Sequence, residues 1–90
     1  MAEIILDGLE IGKIEDVHVL FVQALDLPEW YGQNLDALFD CLAGLGEDVT
    51  VCLRRRKILE KRLGRRGPAL TALLKRAAAE NPHIKLSEAE

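Results

Sequence analysis

Three short aliphatic runs alternate with longer stretches of helical periodicity, and this alternation limits the folds open to the chain more than any other feature. The runs are residues 3–7, 49–53 and, with a weaker pattern, 84–87. β-Branched and aliphatic residues favour strands, and the uninterrupted run 49–53 is typical of a strand buried on both faces. Strands alternating with helices predict an α/β fold: a small three-stranded parallel sheet flanked by helices, with right-handed crossovers.

The helical stretches have recognisable starts and stops. From Ile14, apolar residues recur at spacings of three and four until Pro28 interrupts the pattern. Pro, Trp, Tyr and Gly within residues 28–33 predict a compact loop. Asn34 is a suitable N-cap, because its side chain can accept the N–H of residue 36 or 37, and the second helix should run from there to about Gly44.

Two more helices are predicted in the second half of the chain. A short one covers residues 58–63 and ends at Gly64. A longer one has Pro68 at its first helical position, where the missing N–H costs nothing, and Asn81 followed by proline stops it.

Size and composition fit one globular domain, residues 1–90, that folds alone. The chain has 90 residues, 49% hydrophobic and 30% charged, which is far from the composition of disordered proteins. The sequence lacks an apolar run of about 18 residues and a signal peptide, so a cytoplasmic location is expected. Cys41 and Cys52 are expected to be reduced thiols, at least one of them buried, and no metal or other cofactor is predicted.

The charges are unevenly distributed along the chain. Residues 1–53 carry eleven acidic residues and one basic residue, whereas 54–90 carry eleven basic and four acidic residues. Residues 14–53 contain eight acids and no lysine or arginine. One sign of charge over forty residues says more about binding partners than about the fold.

Two aspartates in the second predicted helix project in one direction. Asp36 and Asp40 are separated by four residues and therefore lie about 40° apart around a helix axis. The opposite side carries an inner stripe of four leucines, Leu35, Leu38, Leu42 and Leu45. Ala43 and Gly44 extend the outer face with almost no side chain, which leaves a flat place where another surface could approach.

A solvated polar face is the simplest interpretation of this helix, since an acid in the first turn interacts favourably with the helix dipole. Asp40 has no such benefit and repels Asp36 by roughly 0.2–0.5 kcal/mol. Together with nearby aromatic residues, this favours a protein-binding surface. An enzyme is not predicted, because no apolar surrounding would split the pKa values of the two carboxyls and no catalytic motif is present. His18 and His83 are interpreted as structural or exposed.

This segment resembles the barstar family, intracellular inhibitors of barnase-type extracellular ribonucleases. The resemblance is dense in residues 27–29, 31–32, 34–38 and 40–42 and at Gly44, and it continues more weakly over the whole chain. It implies a three-stranded parallel sheet flanked by helices, and a helix with its preceding loop that blocks the active site of a small basic ribonuclease in a one-to-one complex. A monomer is expected when the protein is unbound.

The resemblance also implies roles for individual residues. Asp40 would take the place of the substrate phosphate, and Asp36 would make a second charged contact. Trp30 would supply an aromatic contact from the loop. The remaining partner-binding positions would be Gly32, Asn34, Leu35, Phe39, Ala43, Gly44 and Glu80.

Several positions depart from the best-known family member. Phe39 and Leu45 stand where it has tryptophans, and Val49 replaces a proline. Arg76 falls where it presents a glutamate to the enzyme, although Glu80 remains acidic. Arg76 should therefore weaken binding to a strongly basic nuclease, or match a partner with an acidic rim.

A basic stripe offers an alternative function. Eight of the thirteen residues 54–66 are lysine or arginine, enough for weak RNA or ribosome contact through phosphates. The stripe contains no aromatic residue for base stacking, so sequence-specific binding to single strands is not expected. A solvated basic face that offsets the acidic half of the chain is the simpler interpretation, and a second protein partner is a further alternative.

Overall fold

The computed structural model describes residues 2–27 and 34–89 as three strands and four helices. The elements, in chain order, are β1 (Ala2–Asp7), α1 (Ile14–Leu25), α2 (Leu35–Ala43), β2 (Val49–Arg54), α3 (Arg56–Leu63), α4 (Arg66–Glu80) and β3 (Ile84–Ala89). The three strands are parallel, which confirms the predicted α/β fold.

The central strand of the sheet is β2, which pairs with β1 on one side and β3 on the other. Its residues alternate between buried and half-buried. The prediction that it is buried on both faces is wrong. Thr50 and Cys52 are only half-buried. The residues beside them on the neighbouring strands, Lys85 beside Thr50 and Ile5 beside Cys52, are exposed, so this face of the sheet is incompletely covered. The sheet therefore has one closed face and one partly open face.

Two helices begin earlier than the sequence pattern indicates. Helix α3 starts at Arg56, directly after Arg55 in the left-handed conformation at φ 52°. Ile58, the first apolar residue, is exposed, and α3 first enters the core at Leu59, three residues after its start. Helix α4 starts at Arg66, so Pro68 is its third residue and not its first. The missing N–H still costs nothing, because the first-turn N–H groups have no partner within the helix.

Gly67 permits close packing between α3 and α4. A Cβ at this position would lie 2.5 Å from backbone atoms of Glu60. A side chain there would push the start of α4 away from α3. Helix α4 is the longest, at 15 residues. In the described parts of the chain, no helix is both long enough and apolar enough to cross a membrane.

The core joins α2 and α4 to the closed face of the sheet. Leu38 and Leu42 of α2 are fully buried, as are Leu70 and Leu74 of α4 and Phe21 of α1. Burying each such side chain contributes roughly 1.5–3 kcal/mol. This apolar contact holds α2 by its inner stripe and leaves the opposite side of the helix outside the core.

Both cysteines are free thiols. Cys41 and Cys52 are each half-buried, so the expectation that at least one is buried is wrong. Burial and the nearby charge of Asp40 raise the pKa of the Cys41 thiol, which keeps it protonated at neutral pH.

Candidate functional site

Asn34 starts helix α2 as predicted. Its side-chain oxygen accepts the backbone N–H of Ala37 at 2.8 Å and so satisfies one N–H of the first turn. Asp36 lies in that turn, where the helix dipole favours a negative charge. Trp30 and Gly32, the two predicted contact residues of the preceding loop, lie outside the described residues.

Helix α2 presents two different faces. Leu38 and Leu42 are fully buried, whereas Leu35 and Leu45 at the ends of the predicted inner stripe are half-buried. The outer side carries four exposed residues, Asp36, Asp40, Ala43 and Gly44. The two carboxylates therefore point into solvent together, on a helix whose other side is fixed in the core.

The chain's own described cations do not neutralise this pair. Within residues 2–27 and 34–89, neither Asp36 nor Asp40 forms a salt bridge. Each carboxylate is therefore available, as far as these residues show, to accept hydrogen bonds from a cationic partner.

A groove of about 560 Å³ separates the exposed side of α2 from α4. One wall is Leu35, Asp36, Phe39 and Asp40, and the other is Ala69, Ala72, Leu73 and Arg76. The small side chains of Ala69 and Ala72 keep the groove open. Apolar surface flanked by charges at both sides is a typical composition for a protein-binding site.

Arg76 closes one side of this groove. Its guanidinium carbon lies 4.3 Å from the centroid of the Phe39 ring, a cation–π contact. Its Nε donates to a carboxylate oxygen of Glu80 at 3.0 Å. Glu80 is exposed, but its charge is paired with Arg76. Because both side chains are largely in solvent, the pair itself stabilises the fold little.

A second hollow, of about 340 Å³, lies on the other side of Asp36 and includes Arg66. Asp36 therefore borders two hollows, and a guanidinium lines each of them. Residues 14–53 contain no lysine or arginine, but α4 brings Arg66 and Arg76 beside α2 from thirty and more positions away.

Asn81 binds the end of α2 from the far end of α4. Its side-chain Nδ2 donates to the carbonyl oxygens of Leu42 at 2.8 Å and Leu45 at 3.0 Å, and lies 3.5 Å from that of Ala43. Its Oδ1 accepts the N–H of His83 at 3.0 Å. Asn81 is only 5% exposed, so these bonds are shielded from water.

His83 makes a second link between the same two segments. Its Nδ1 lies 2.9 Å from a carboxylate oxygen of Asp48, and its backbone carbonyl accepts the N–H of Val49. The hydrogen bond with His83 lowers the pKa of Asp48. The turn after α4 and the loop after α2 are thus joined by side-chain and backbone contacts.

The basic stripe is partly occupied by the chain's own acceptors. Arg55 forms a 2.6 Å ion pair with Asp7, and Arg56 forms one of 2.7 Å with Glu88. Arg62 donates to the carbonyl of Leu9. The N–H of Leu9 and the Arg55 guanidinium lower the pKa of Asp7. Several stripe residues therefore have structural roles. The exposed bases of the stripe are Lys57, Lys61, Arg62, Arg65 and Arg66.

Two features of the site were missed by sequence reasoning. The groove wall on α4 follows a helical spacing of three and four, Ala69, Ala72, Leu73 and Arg76, which a search of every helix for a second face could have found. Asn81 was interpreted only as a helix stop. No sequence signal places it beside carbonyls 36 to 39 residues away.

Comparison with known proteins identifies the family. The family model described as "Barstar (barnase inhibitor)" matches residues 1–87. This chain belongs to the barstar family. The match covers β1, β2, all four helices and the first four residues of β3, in agreement with the observed fold.

The chain is also similar to a protein of Bacillus subtilis (strain 168) named "Putative ribonuclease inhibitor YrdF". The two sequences are 50% identical over 44 residues, which cover 49% of this chain and 48% of the relative. The chain therefore spans about half the length of the curated relative that it matches.

Proposed function

We propose that this protein is a ribonuclease inhibitor and that it blocks the active site of a small basic ribonuclease with the outer side of α2. The observation that carries the proposal is the pair Asp36 and Asp40, both exposed and both outside the salt bridges of the described residues. Membership in the barstar family and the name of the Bacillus relative support it. The proposed role is that of a binding protein and not of an enzyme.

The outer side of α2 and the active site of a ribonuclease are chemically complementary. A ribonuclease must hold a phosphodiester, so its cleft carries arginine, lysine and histidine. Two carboxylates on one rigid helix can occupy the positions of phosphate oxygens and accept charge-assisted hydrogen bonds from those groups. Since Leu38 and Leu42 hold α2 in the core, little conformational entropy is lost when the helix enters the cleft.

The groove beside α2 extends the proposed contact area. Phe39 and Leu35 supply apolar surface to this groove, between the aspartates of α2 and Arg76 of α4. Ala43 and Gly44 have small side chains or none, so the enzyme can approach α2 closely there. Asn34 contributes by starting the helix, and Glu80 by holding Arg76. Trp30 and Gly32 remain proposed contact residues of the loop. The binding unit is proposed to be one domain, residues 1–90, acting as a monomer in a one-to-one complex.

Arg76 bears on the choice of enzyme. A cation at the edge of the groove repels an enzyme whose rim is uniformly basic. We therefore propose that the cognate ribonuclease carries a neutral or acidic side chain opposite Arg76. The central contacts to Asp36 and Asp40 are unaffected by this requirement.

RNA or ribosome binding through the basic stripe is the weaker alternative. Arg55 and Arg56 are paired with carboxylates, so a phosphate would have to displace an existing ion pair. Five stripe bases are exposed, Lys57, Lys61, Arg62, Arg65 and Arg66, and Arg62 among them already donates to the carbonyl of Leu9. They could hold phosphate, but the stripe offers no aromatic side chain to stack on a base.

The proposal is tested by titrating the purified protein against a panel of small ribonucleases of the barnase type, with barnase included, and measuring residual RNA cleavage. Inhibition of at least one enzyme that is complete at one equivalent supports it. Full activity of every enzyme in the panel at micromolar inhibitor contradicts it. A titration against pancreatic-type ribonuclease shows whether inhibition reflects the fold of the target or only its positive charge.

A further inference from the structure

The last turn of α2 and the end of α4 are connected by one buried side chain. The Asn81 amide has two N–H groups, and carbonyl oxygens of the α2 end lie within hydrogen-bonding distance at 2.8 and 3.0 Å. Its oxygen is occupied by the N–H of His83. Because the carbonyls surround one end of the amide and an N–H faces the other, the orientation of the group is fixed.

These bonds reach the last turn of α2 at Leu42 and the segment directly after it at Leu45. The last four carbonyls of a helix have no partner within it, and capping or water normally supplies one. At the end of α2 the Leu42 carbonyl accepts the N–H of Leu45 at 3.3 Å and, at the shorter distance of 2.8 Å, the Asn81 amide from the end of α4. The Asn81 contacts therefore both cap α2 and fix its distance from α4.

That distance matters for the acidic surface. Asp40 lies one turn before the capped end of α2, and Glu80 directly precedes Asn81 at the end of α4. Arg76, bonded to Glu80 and stacked on Phe39, spans the gap between the two helices. Leu38 and Leu42 hold the inner side of α2 in the core, and the Asn81 bonds add a fixed point at its end, next to Asp40.

We propose that Asn81 is a positioning residue for the partner-binding surface: its side-chain amide locks the end of α2 to the end of α4 and thereby sets the spacing between Asp40 and the pair formed by Arg76 and Glu80. Asn81 itself is buried and does not touch the partner. This inference rests on the proposed function for its effect on binding, but not for its effect on α2.

Two variants test the lock. Asn81→Ala removes the donors, and Asn81→Asp keeps the shape but places an acceptor against the carbonyl oxygens. Thr71→Ala is the matched control, because Thr71 is also a buried polar residue of α4 and its hydroxyl donates to the carbonyl of Gly67 within the same helix. All three variants lose a buried hydrogen bond, but only the Asn81 variants lose one that joins α4 to α2.

The first measurement needs no partner. Backbone amide hydrogen exchange in the free protein should become at least about tenfold faster over residues 42–46 in both Asn81 variants, a change of ~1.4 kcal/mol in local opening. In Thr71→Ala these amides should exchange as in the wild type, after correction for global stability. Equal acceleration in the control and in the Asn81 variants overturns the inference.

The second measurement uses the ribonuclease that the wild-type protein inhibits most strongly. Asn81→Ala should raise the dissociation rate by roughly tenfold, with a smaller effect when Asp40 is already alanine. Non-additivity of this kind shows that Asn81 acts through Asp40, because a purely global loss of stability would act equally in both backgrounds. Additive effects overturn the positioning role. If the wild type inhibits no ribonuclease, the proposed function fails, and hydrogen exchange still decides whether Asn81 locks α2.

Discussion

The guanidinium of Arg76 lies over the ring of Phe39, with 4.3 Å between its central carbon and the ring centroid. A cation from α4 therefore sits beside the two carboxylates of α2, on the surface proposed to enter a basic cleft. Glu80 also bonds this guanidinium, so Arg76 has a contact on two sides.

Arg76→Glu should strengthen inhibition of barnase or of another ribonuclease with a uniformly basic rim, because it replaces repulsion by attraction. Removing a rim repulsion and adding a rim attraction should together change affinity by roughly 10-fold, and Arg76→Gln should have about half the effect in free energy. Lys75→Glu is the control, since it adds the same charge to α4 outside the groove. Equal gains from both substitutions would show that net charge, and not the position of Arg76, controls affinity.

Association should depend steeply on salt. As ionic strength rises from about 10 to 500 mM, the Debye length falls from roughly 30 Å to under 5 Å, which screens attraction between the acidic helix and a basic enzyme. Stopped-flow fluorescence should show a falling association rate and a nearly constant dissociation rate. An association rate that does not change with salt would mean that the charges of α2 do not guide the encounter.

The basic stripe should bind RNA weakly or not at all. Lys57→Ala, Lys61→Ala and Arg65→Ala in one variant remove exposed charges and leave the ion pairs of Arg55 and Arg56 intact. In gel shifts with mixed RNA at low salt, the wild type and the variant should give the same pattern of bands. A wild-type complex that persists near physiological salt and is lost in the variant would favour the alternative function.

Stability should fall as the solution becomes mildly acidic, because of His18. Burial lowers its pKa below the ordinary value of 6.5, the charge of Arg66 lowers it further, and Glu15 opposes the shift in part. The unfolded chain therefore binds a proton at a higher pH than the folded one, so the free energy of unfolding is largest above about pH 6.5 and decreases as the pH falls toward the folded pKa. The loss is about 1.4 kcal/mol for each unit between the two values.

His18→Gln should remove much of this dependence. Urea unfolding between pH 5 and 7.5, monitored by circular dichroism, gives the slope for each protein. A slope that is the same with and without His18 would assign the dependence to other groups.

The sequence was sufficient to predict features that depend on a single helix or strand. Asn34 could be predicted as a cap and Leu38 and Leu42 as core residues, because capping and apolar periodicity depend only on neighbours within a few positions. The start of α3 could not, since Arg56 and Lys57 form helix without contacting the core and leave no periodic signal.

Contacts between segments far apart in the sequence could not be predicted in this way. The acidic segment contains no base, yet packing of α4 against α2 places Arg66 and Arg76 next to it. Asn81 meets α2 for the same reason. These contacts depend on how two helices are placed in three dimensions, and spacing along one helix carries no information about that.

The central claim is that Asp36 and Asp40 together replace phosphate in a ribonuclease active site. The most direct test is the inhibition constant of Asp36→Asn Asp40→Asn for the enzyme that the wild type inhibits, measured beside the free energy of unfolding of each protein. Each lost charge-assisted hydrogen bond should cost about 1.5–3 kcal/mol, so affinity should fall by roughly 100-fold or more. Both side chains are exposed, and stability should change by less than about 0.5 kcal/mol.

The control is the double variant Glu3→Gln Glu10→Gln, which makes the same change in net charge on exposed residues of another surface. It should inhibit almost as well as the wild type. If the Asp36→Asn Asp40→Asn variant has the same inhibition constant as this control, the claim is contradicted.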